Sequence, residues 1–205
     1  MIVDFIVTRK EDDPIHYREV VDRHTEVNLI EVPYASTCAD ARRRSVHIGK
    51  SDYVMWFDPD DTLYENTLVR ILDYLNNNPG CPGVMCLSDY IDPLGEPRQI
   101  KVDRIKHRPV NGHCLKALRR DVLVDILSVC NDDVICWQIT AGALSIGVPV
   151  LPFSGYLWNV DETRVRTGDH TFNKISPKQM DNARTRVRQI LRHMANPITL
   201  KSRGC

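Results

Sequence analysis

Three carboxylates stand within four residues at Asp58-Pro59-Asp60-Asp61, directly after the apolar run Tyr53-Val54-Met55-Trp56-Phe57. If extended backbone continues past Phe57, Asp58 and Asp60 point to the same side. Two carboxylates on one side of a loop are hard oxygen donors. They suit Mg²⁺ or Mn²⁺, ions that also hold a diphosphate. Without a cation, the clustered charges repel one another. The plainer reading is a solvated turn that leads into the next helix.

The elements around this turn follow from pattern. Residues 2–8 are apolar and β-branched and predict a buried strand. A helix over about 14–24 follows Pro14, and Val27–Val32 forms a second strand ended by Pro33. A helix runs from Ala39 to Gly49, and Tyr53–Phe57 is a third strand, closed by Pro59. Thr62 and Glu65 have the spacing of a capping box, so the next helix is placed from Thr62, with Leu68, Ile71, Leu72 and Leu75 on one face. Val84–Leu87 is a fourth strand. Strand and helix alternate, which argues for an α/β fold with a parallel sheet.

The second half reads differently. Pro93-Leu94-Gly95-Glu96 is a turn signal between Tyr90–Asp92 and Gln99–Val102, a hairpin-like excursion. Leu115–Val129 reads as a helix with Leu118, Val122 and Ile126 on one face. Val134–Ile146 is a helix closed by Gly147, and Val148–Phe153 a short strand. Asp161–Lys174 reads as a loop, and Pro177–Met194 as a terminal helix.

Composition sets the class. The chain has 205 residues, 42% hydrophobic and 26% charged, which fits a globular domain. It excludes a disordered tail, a collagen-like rod and a small disulfide-stapled module. No apolar run approaches the roughly 20 residues of a membrane-spanning helix. The N-terminus lacks the features of a signal peptide. The seven cysteines form no C-x-x-C pair and sit mostly among apolar neighbours, as free thiols do. A cytoplasmic protein of a reducing compartment is the expectation. Net charge is zero, yet residues 1–65 hold 14 acidic and 8 basic side chains, and residues 164–205 hold 10 basic and 2 acidic ones. The basic end suits an anionic partner such as nucleic acid or a membrane surface, or it is a solvated helix face.

The block from Ala41-Arg42-Arg43-Arg44-Ser45 through Gly49-Lys50-Ser51-Asp52-Tyr53 to Asp58-Pro59-Asp60-Asp61 resembles, without a gap, a block of the family 2 glycosyltransferases. That block reads A-R-N-x-G-I, then A-x-G-E-Y, then an apolar strand and D-x-D-D. Arg43 and Ser45 stand where Asn and Gly are usual. Ile91-Asp92-Pro93-Leu94-Gly95 is similar to the family's I-D-x-x-G turn. Arg119-Arg120-Asp121-Val122-Leu123 is similar to its R-R-x-x-L helix, and Gly147-Val148-Pro149-Val150 to its last strand entry. The resemblance covers most of residues 1–160.

The resemblance implies a GT-A type, Rossmann-like α/β fold. Its mixed, mainly parallel sheet is flanked by helices in a single domain over 1–175, with a nucleotide-sugar half at 1–88 and an acceptor half at 89–175. A basic C-terminal helix and tail follow at 176–205. It implies a metal-dependent enzyme, a hexosyl- or pentosyltransferase, that moves a sugar from a nucleotide-diphosphate sugar to an acceptor hydroxyl. The D-x-D motif then supplies Asp58 and Asp60 to Mn²⁺ or Mg²⁺. Asp58 also reaches the ribose, and Asp61 does either. Thr8 and Arg9 lie beside the base or ribose, and Arg42 falls on the family's Arg. Asp132 or Asp133 stands where the family places an acidic pair, as a candidate base or as a helix N-cap. Arg164 or Arg166 meets the diphosphate, and His170 completes the metal shell or is a surface residue.

One departure stands out. The family's second strand ends in D-D-G-S, whereas this chain has Glu31-Val32-Pro33-Tyr34-Ala35-Ser36-Thr37, which leaves the donor base open. Trp56 reads as core, while Trp137 and Trp158 are better placed to line an acceptor pocket. Two alternatives stay in view. A sugar-phosphate nucleotidyltransferase would carry a Gly-rich loop after the first strand, and Thr8–Pro14 has no glycine. A nucleic-acid-binding module would use Arg184, Arg186, Arg188 and Arg192. The two ideas combine if the acceptor is a hydroxylated base in nucleic acid. Oligomeric state is not readable.

Overall fold

The computed structural model describes residues 1–34, 37–91, 96–100, 114–130 and 135–159, together with Thr185, Arg188, Gln189 and Arg192. The chain opens with β1 (Val3–Arg9), α1 (Tyr17–Val21), β2 (Val27–Pro33), α2 (Cys38–Ser45) and β3 (Tyr53–Phe57). After them come β4 (Thr62–Leu63), α3 (Thr67–Asn77), β5 (Gly83–Ile91) and β6 (Pro97–Ile100). The last are β7 (Lys116–Arg119), α4 (Arg120–Val129), α5 (Ile135–Ser145) and β8 (Val150–Trp158).

The strands form one mixed sheet in the order β2-β1-β3-β7-β5-β8-β4, with β6 paired to β5. β1 pairs in parallel with β2 and β3, and β5 with β8. β7 runs against both β3 and β5, so those five strands share one direction. β4 and β6 run against it. This is the expected mainly parallel α/β sheet.

Both faces of the sheet are buried, which is why its strands read as continuous apolar runs. Strand alternation divides the core. Phe5 and Val7 of β1 and Met55 and Phe57 of β3 face α1 and α3, meeting Tyr17, Leu68, Ile71 and Leu75. Ile6 and Val54 face the other way, meeting Val122 and Ile126 of α4 and Ile139 of α5. The α3 face predicted from spacing is the buried one. α2 begins at Thr37, whose hydroxyl accepts from the Asp40 N–H at 3.1 Å. Past α5, Gly147 has φ +81°, and the N–H groups of Gly147 and Val148 return to Leu144 and Ala143. That is a Schellman end, as Gly147 predicted.

Three expectations change. Thr62 does not cap a helix. Thr62–Leu63 pairs with β8, and α3 starts only at Thr67, whose hydroxyl donates to the Gly155 carbonyl at 2.5 Å. The segment read as a helix from Leu115 is first a strand. Leu118 lies opposite Val54 on one side and Gly83 on the other, so the backbone of β7 satisfies two sheet neighbours before α4 begins at Arg120. Close approach is built in: a Cβ on Gly83 would lie 2.5 Å from the Ala117 carbonyl oxygen. The last strand runs to Trp158 rather than ending at Phe153. The hairpin reading holds, with β5 and β6 antiparallel from Ile91↔Pro97. No helix among the described residues is long and apolar enough to cross a membrane.

Candidate active site

β1, β2 and β3 end at one edge of the sheet. Val7 pairs with Glu31 and with Phe57, so Thr8 stands one residue further on, level with Asp58. In open α/β sheets, ligands bind beyond the carboxyl ends of the parallel strands. The acidic turn is at that edge, between β3 and β4, and is closed by the Asp61 N–H donating to the Asp58 carbonyl at 3.0 Å. Burial alternates through it: Asp58 and Asp60 are exposed, while Pro59 and Asp61 are buried.

The turn is held from two sides. Asn159, the residue after β8, donates from its backbone to Asp61 Oδ1 at 3.1 Å. Its side-chain amide donates to the Asp60 carbonyl at 2.7 Å and reaches Thr62 Oγ1 at 3.2 Å. From the start of α1, His16 Nε2 donates to the Asp61 carbonyl at 2.7 Å. Asp61 is 3% exposed. Burial pushes its carboxyl up to about 9, with Asp58 and Asp60 adding to the rise and the Asn159 N–H and Arg42 opposing it.

Arg42 of α2 is a cation facing the turn. Its guanidinium lies 3.3 Å from Asp58 Oδ1 and over the Trp56 ring, 5.5 Å from the centroid. Trp56 is in turn fixed by its indole N–H donating to Ser45 Oγ at 2.9 Å. A pocket of about 30 Å³ opens here, lined by Arg42, Trp56, Asp58, Asp61, Lys116 and Tyr156 among others. Trp56 thus packs against the core beneath α4 and also shows a face to the pocket. Trp158 packs against the α3-side core.

The β1–β2 end of this edge is differently charged. Glu31 accepts from Tyr17 Oη and from both Arg18 Nε, at 2.9 Å, and Arg18 Nη2. Arg18 holds its carboxyl below the usual range. Burial and then Glu31 push the Tyr17 phenol up to about 12. Arg9 approaches Glu31 at 3.9 Å and donates to the Glu11 and Asp13 carbonyls at 2.8 and 3.1 Å. Its Nε is buried with no hydrogen-bond partner among the described residues. Arg9 thus folds back on the β1–α1 loop, while Thr8 stays half-buried at the edge.

The structure places Arg42 against Asp58, with Asp60 in the same turn and Thr8 at the same strand end, while the Arg9 side chain turns instead to Glu31 and the β1–α1 loop. Asp132, Asp133, Arg164, Arg166 and His170 lie outside the described residues. Sequence reasoning missed Asn159 and His16 at the turn, and Lys116 and Tyr156 in the pocket. Asn159 and His16 carry no local signature, because their partners are 98 and 45 residues away.

No protein-family model and no curated protein matches the chain. Solved structures do share its fold. Residues 1–349 of S. aureus TarS, in complex with UDP-GlcNAc, align at TM-score 0.55 with 14% identity, over 96% of this chain and 67% of that one. Glucosyl-3-phosphoglycerate synthase from Mycobacterium tuberculosis, in complex with Mn²⁺, UDP and phosphoglyceric acid, aligns at TM-score 0.55 with 11% identity, over 91% and 78%. 4-Diphosphocytidyl-2C-methyl-D-erythritol synthase aligns at TM-score 0.52 with 10% identity, over 84% and 100%. The fold is of the GT-A type, as the D-x-D-D block implied.

A divalent cation fits the donor set. No three His, Cys, Asp or Glu side chains gather as a ready-made cage among the described residues. An ion carried with a diphosphate needs only one or two carboxylates, since phosphate and water fill the rest of its shell. Asp58 and Asp60 offer exposed hard oxygens beside Asp61, a carboxyl that burial first and these two neighbours second push up to about 9.

Proposed function

We propose that the chain is a glycosyltransferase that takes a sugar from a nucleotide-diphosphate donor and delivers it to an acceptor hydroxyl. The observation that carries this reading is the placement of exposed Asp58 and Asp60, with Arg42 beside them, at the carboxyl edge of a GT-A sheet. The UDP-GlcNAc complex of TarS and the Mn²⁺ and UDP complex of the M. tuberculosis synthase support a nucleotide-sugar donor and a divalent ion.

Asp60 and Asp58 hold the ion in this reading. Bound there, Mn²⁺ or Mg²⁺ offsets the charge that grows on the leaving diphosphate. Thr8 and Arg9 meet the ribose or base, and Arg42 orients Asp58 and faces the donor from the pocket wall. Asp132 or Asp133 takes the acceptor proton as the glycosidic bond forms. Arg164 or Arg166 neutralises the departing diphosphate, and His170 adds to the metal shell. The basic C-terminal part, with Arg184, Arg186, Arg188 and Arg192, meets an anionic acceptor such as nucleic acid in this reading. Arg188 and Arg192, four residues apart and both helical, support that part. Salt that leaves transfer to such an acceptor unchanged would exclude it. Thiols rather than disulfides at Cys81, Cys86, Cys114, Cys130 and Cys136 suit a reducing compartment.

The test is calorimetry with a panel of nucleoside diphosphates and nucleotide sugars, with and without Mn²⁺, on wild type and Asp60→Ala. Ion-dependent binding that the variant loses is the expected result. No binding by any nucleotide overturns the reading. Binding of CTP with a sugar phosphate, with release of diphosphate, would favour nucleotidyl transfer, the reaction class suggested by the third fold neighbour.

A further inference from the structure

The pocket beside the acidic turn has a floor and an opening of different chemistry. Cys114 and Leu115, which lead into β7, and Ile139 of α5 are buried and apolar, and they form the floor. Asp58 is exposed, and Trp56, Lys116 and Cys136 are half-buried, so these stand at the opening. The walls are held by the protein's own contacts. The Trp56 indole N–H donates to Ser45 Oγ at 2.9 Å, with the Arg42 guanidinium over its ring. Lys116 Nζ donates to the Cys114 carbonyl at 2.6 Å. An apolar floor below a polar opening suits a group that is apolar at its tip and polar where it joins the rest of the ligand.

Size decides what enters. The pocket measures about 30 Å³. A water-sized group needs about 10–15 Å³, so the space takes roughly two or three non-hydrogen atoms. A sugar ring does not fit, and a lone hydroxyl leaves the floor uncovered. An acetyl group fills it. A carboxylate has similar bulk, but it would lose its hydration against the apolar floor and meet Asp58 and Asp61 in the wall. We propose that this pocket receives the acetyl end of an acetamido substituent on the donor sugar, which makes the donor a nucleotide-diphosphate N-acetylhexosamine. The methyl lies against Cys114, Leu115 and Ile139, and the amide stays at the polar opening. The proposal deepens the transferase reading and rests on it, because a diphosphate bound at the acidic turn leaves its sugar beside this pocket.

Calorimetry with Mn²⁺ first identifies which of UDP, GDP, CDP and ADP binds. Conjugates of that nucleoside diphosphate with N-acetylglucosamine, glucose and glucuronic acid, and with N-acetylgalactosamine and galactose, are then titrated. Each N-acetyl conjugate should bind about tenfold or more tightly than its hydroxyl counterpart. Cys136 stands half-buried in the pocket wall, so Cys136→Phe adds bulk there. It should abolish the difference within each pair and leave the glucose and galactose conjugates at their wild-type affinity. Cys136→Leu should narrow the difference, and it decides if the larger side chain prevents folding. Equal affinity within each pair in the wild type, or a difference that the Cys136 variants leave intact, overturns the proposal while the transferase reading stands. Tighter binding of the glucuronic acid conjugate than of the N-acetylglucosamine conjugate also overturns it, and makes the pocket a carboxylate site. Wild type that binds no nucleoside diphosphate in an ion-dependent way overturns the transferase reading, and the proposal with it.

Discussion

Glu31 takes the place of an acidic pair that would face a base, and the structure gives it a different task. It accepts from Arg18 and Tyr17 and stands near Arg9, so it ties α1 to the end of β2. Because Arg18 lowers its pKa, the folded state favours ionised Glu31 more than the unfolded chain does. The stability this adds is complete above the ordinary value of 4.5 and is lost as pH falls through the lower folded value. Urea midpoints of wild type and Glu31→Gln, taken from about pH 7 downwards, should therefore converge only below that ordinary value. A gap that persists into strong acid would show that the carboxylate charge is not what stabilises the network. Arg42 gives a second prediction. Its guanidinium bridges the Trp56 face and Asp58, and Arg42→Ala leaves Asp58 without that counter-charge. Asp58 is half exposed, so loss of the pair should cost no more than about 1 kcal/mol in urea unfolding, while calorimetry should show weaker nucleotide affinity because the pocket wall loses this cation. Arg42→Lys should not restore it, because an ammonium lacks the flat surface that stacks on indole.

At the far end of β1 from the site, Asp4 is fully buried among apolar neighbours on its own strand. It accepts from Asn28 at 2.8 Å, from the Ser51 N–H and hydroxyl at 3.1 and 2.7 Å, and from Arg120. Gly49 is needed beside it, since a Cβ there would lie 1.8 Å from Asp4 Oδ2. Arg120 also caps the Ser51 and Val46 carbonyls, so one side chain joins β1, the α2–β3 loop and α4. Removing one partner of a buried pair leaves an uncompensated charge, and Arg120→Ala should cost about 3–5 kcal/mol in urea unfolding. Nucleotide affinity should be unchanged in the fraction that folds. The Arg-Arg pair before Val122 was visible in the sequence as a motif, but its role as this joint was not. The same limit explains which elements were legible. β1, β3 and the α3 face could be read because their periodicity reports their own burial. β7 could not, because Leu118, Val122 and Ile126 keep helical spacing across the strand–helix junction. Only the unsatisfied edges of β3 and β5 make Lys116–Arg119 extended. β4 is the same case: Thr62 and Glu65 satisfy a helix signature that pairing with β8 overrides. At the site, the carboxylates were legible and the residues that hold them were not, since a hydrogen bond between residues 60 and 159 leaves no trace in local pattern.

Across the whole molecule, one sheet serves two cores. Phe5 and Val7 face the α1 and α3 side, and Ile6 faces α4 and α5, all within one strand. Neither core can come apart without uncovering the strands that bound the other, so the two faces should melt as one unit despite a length at which intermediates become common. Ile71 of α3 and Ile126 of α4 are both fully buried, on opposite faces. Truncating either to Ala removes buried methylenes and leaves a cavity, at a cost of about 2–5 kcal/mol. In urea, each variant should show one transition with a lower midpoint and an unchanged slope, because the surface exposed on unfolding is the same. The double variant should lose close to the sum, since the sheet separates the two side chains and they share no partner. Tyr17 and Trp158 stand on the α1 and α3 side and Trp56 against the α4 side, so in a Trp158→Phe background Trp56 and Tyr17 report the two sides separately. Two transitions in Ile126→Ala, with Trp56 responding before Tyr17, would mean that the α4 and α5 layer comes away alone. The pocket wall beside Trp56 and Lys116 would then be the weaker half of the fold, and nucleotide binding in that variant should fail at urea concentrations where the α3 side is still intact.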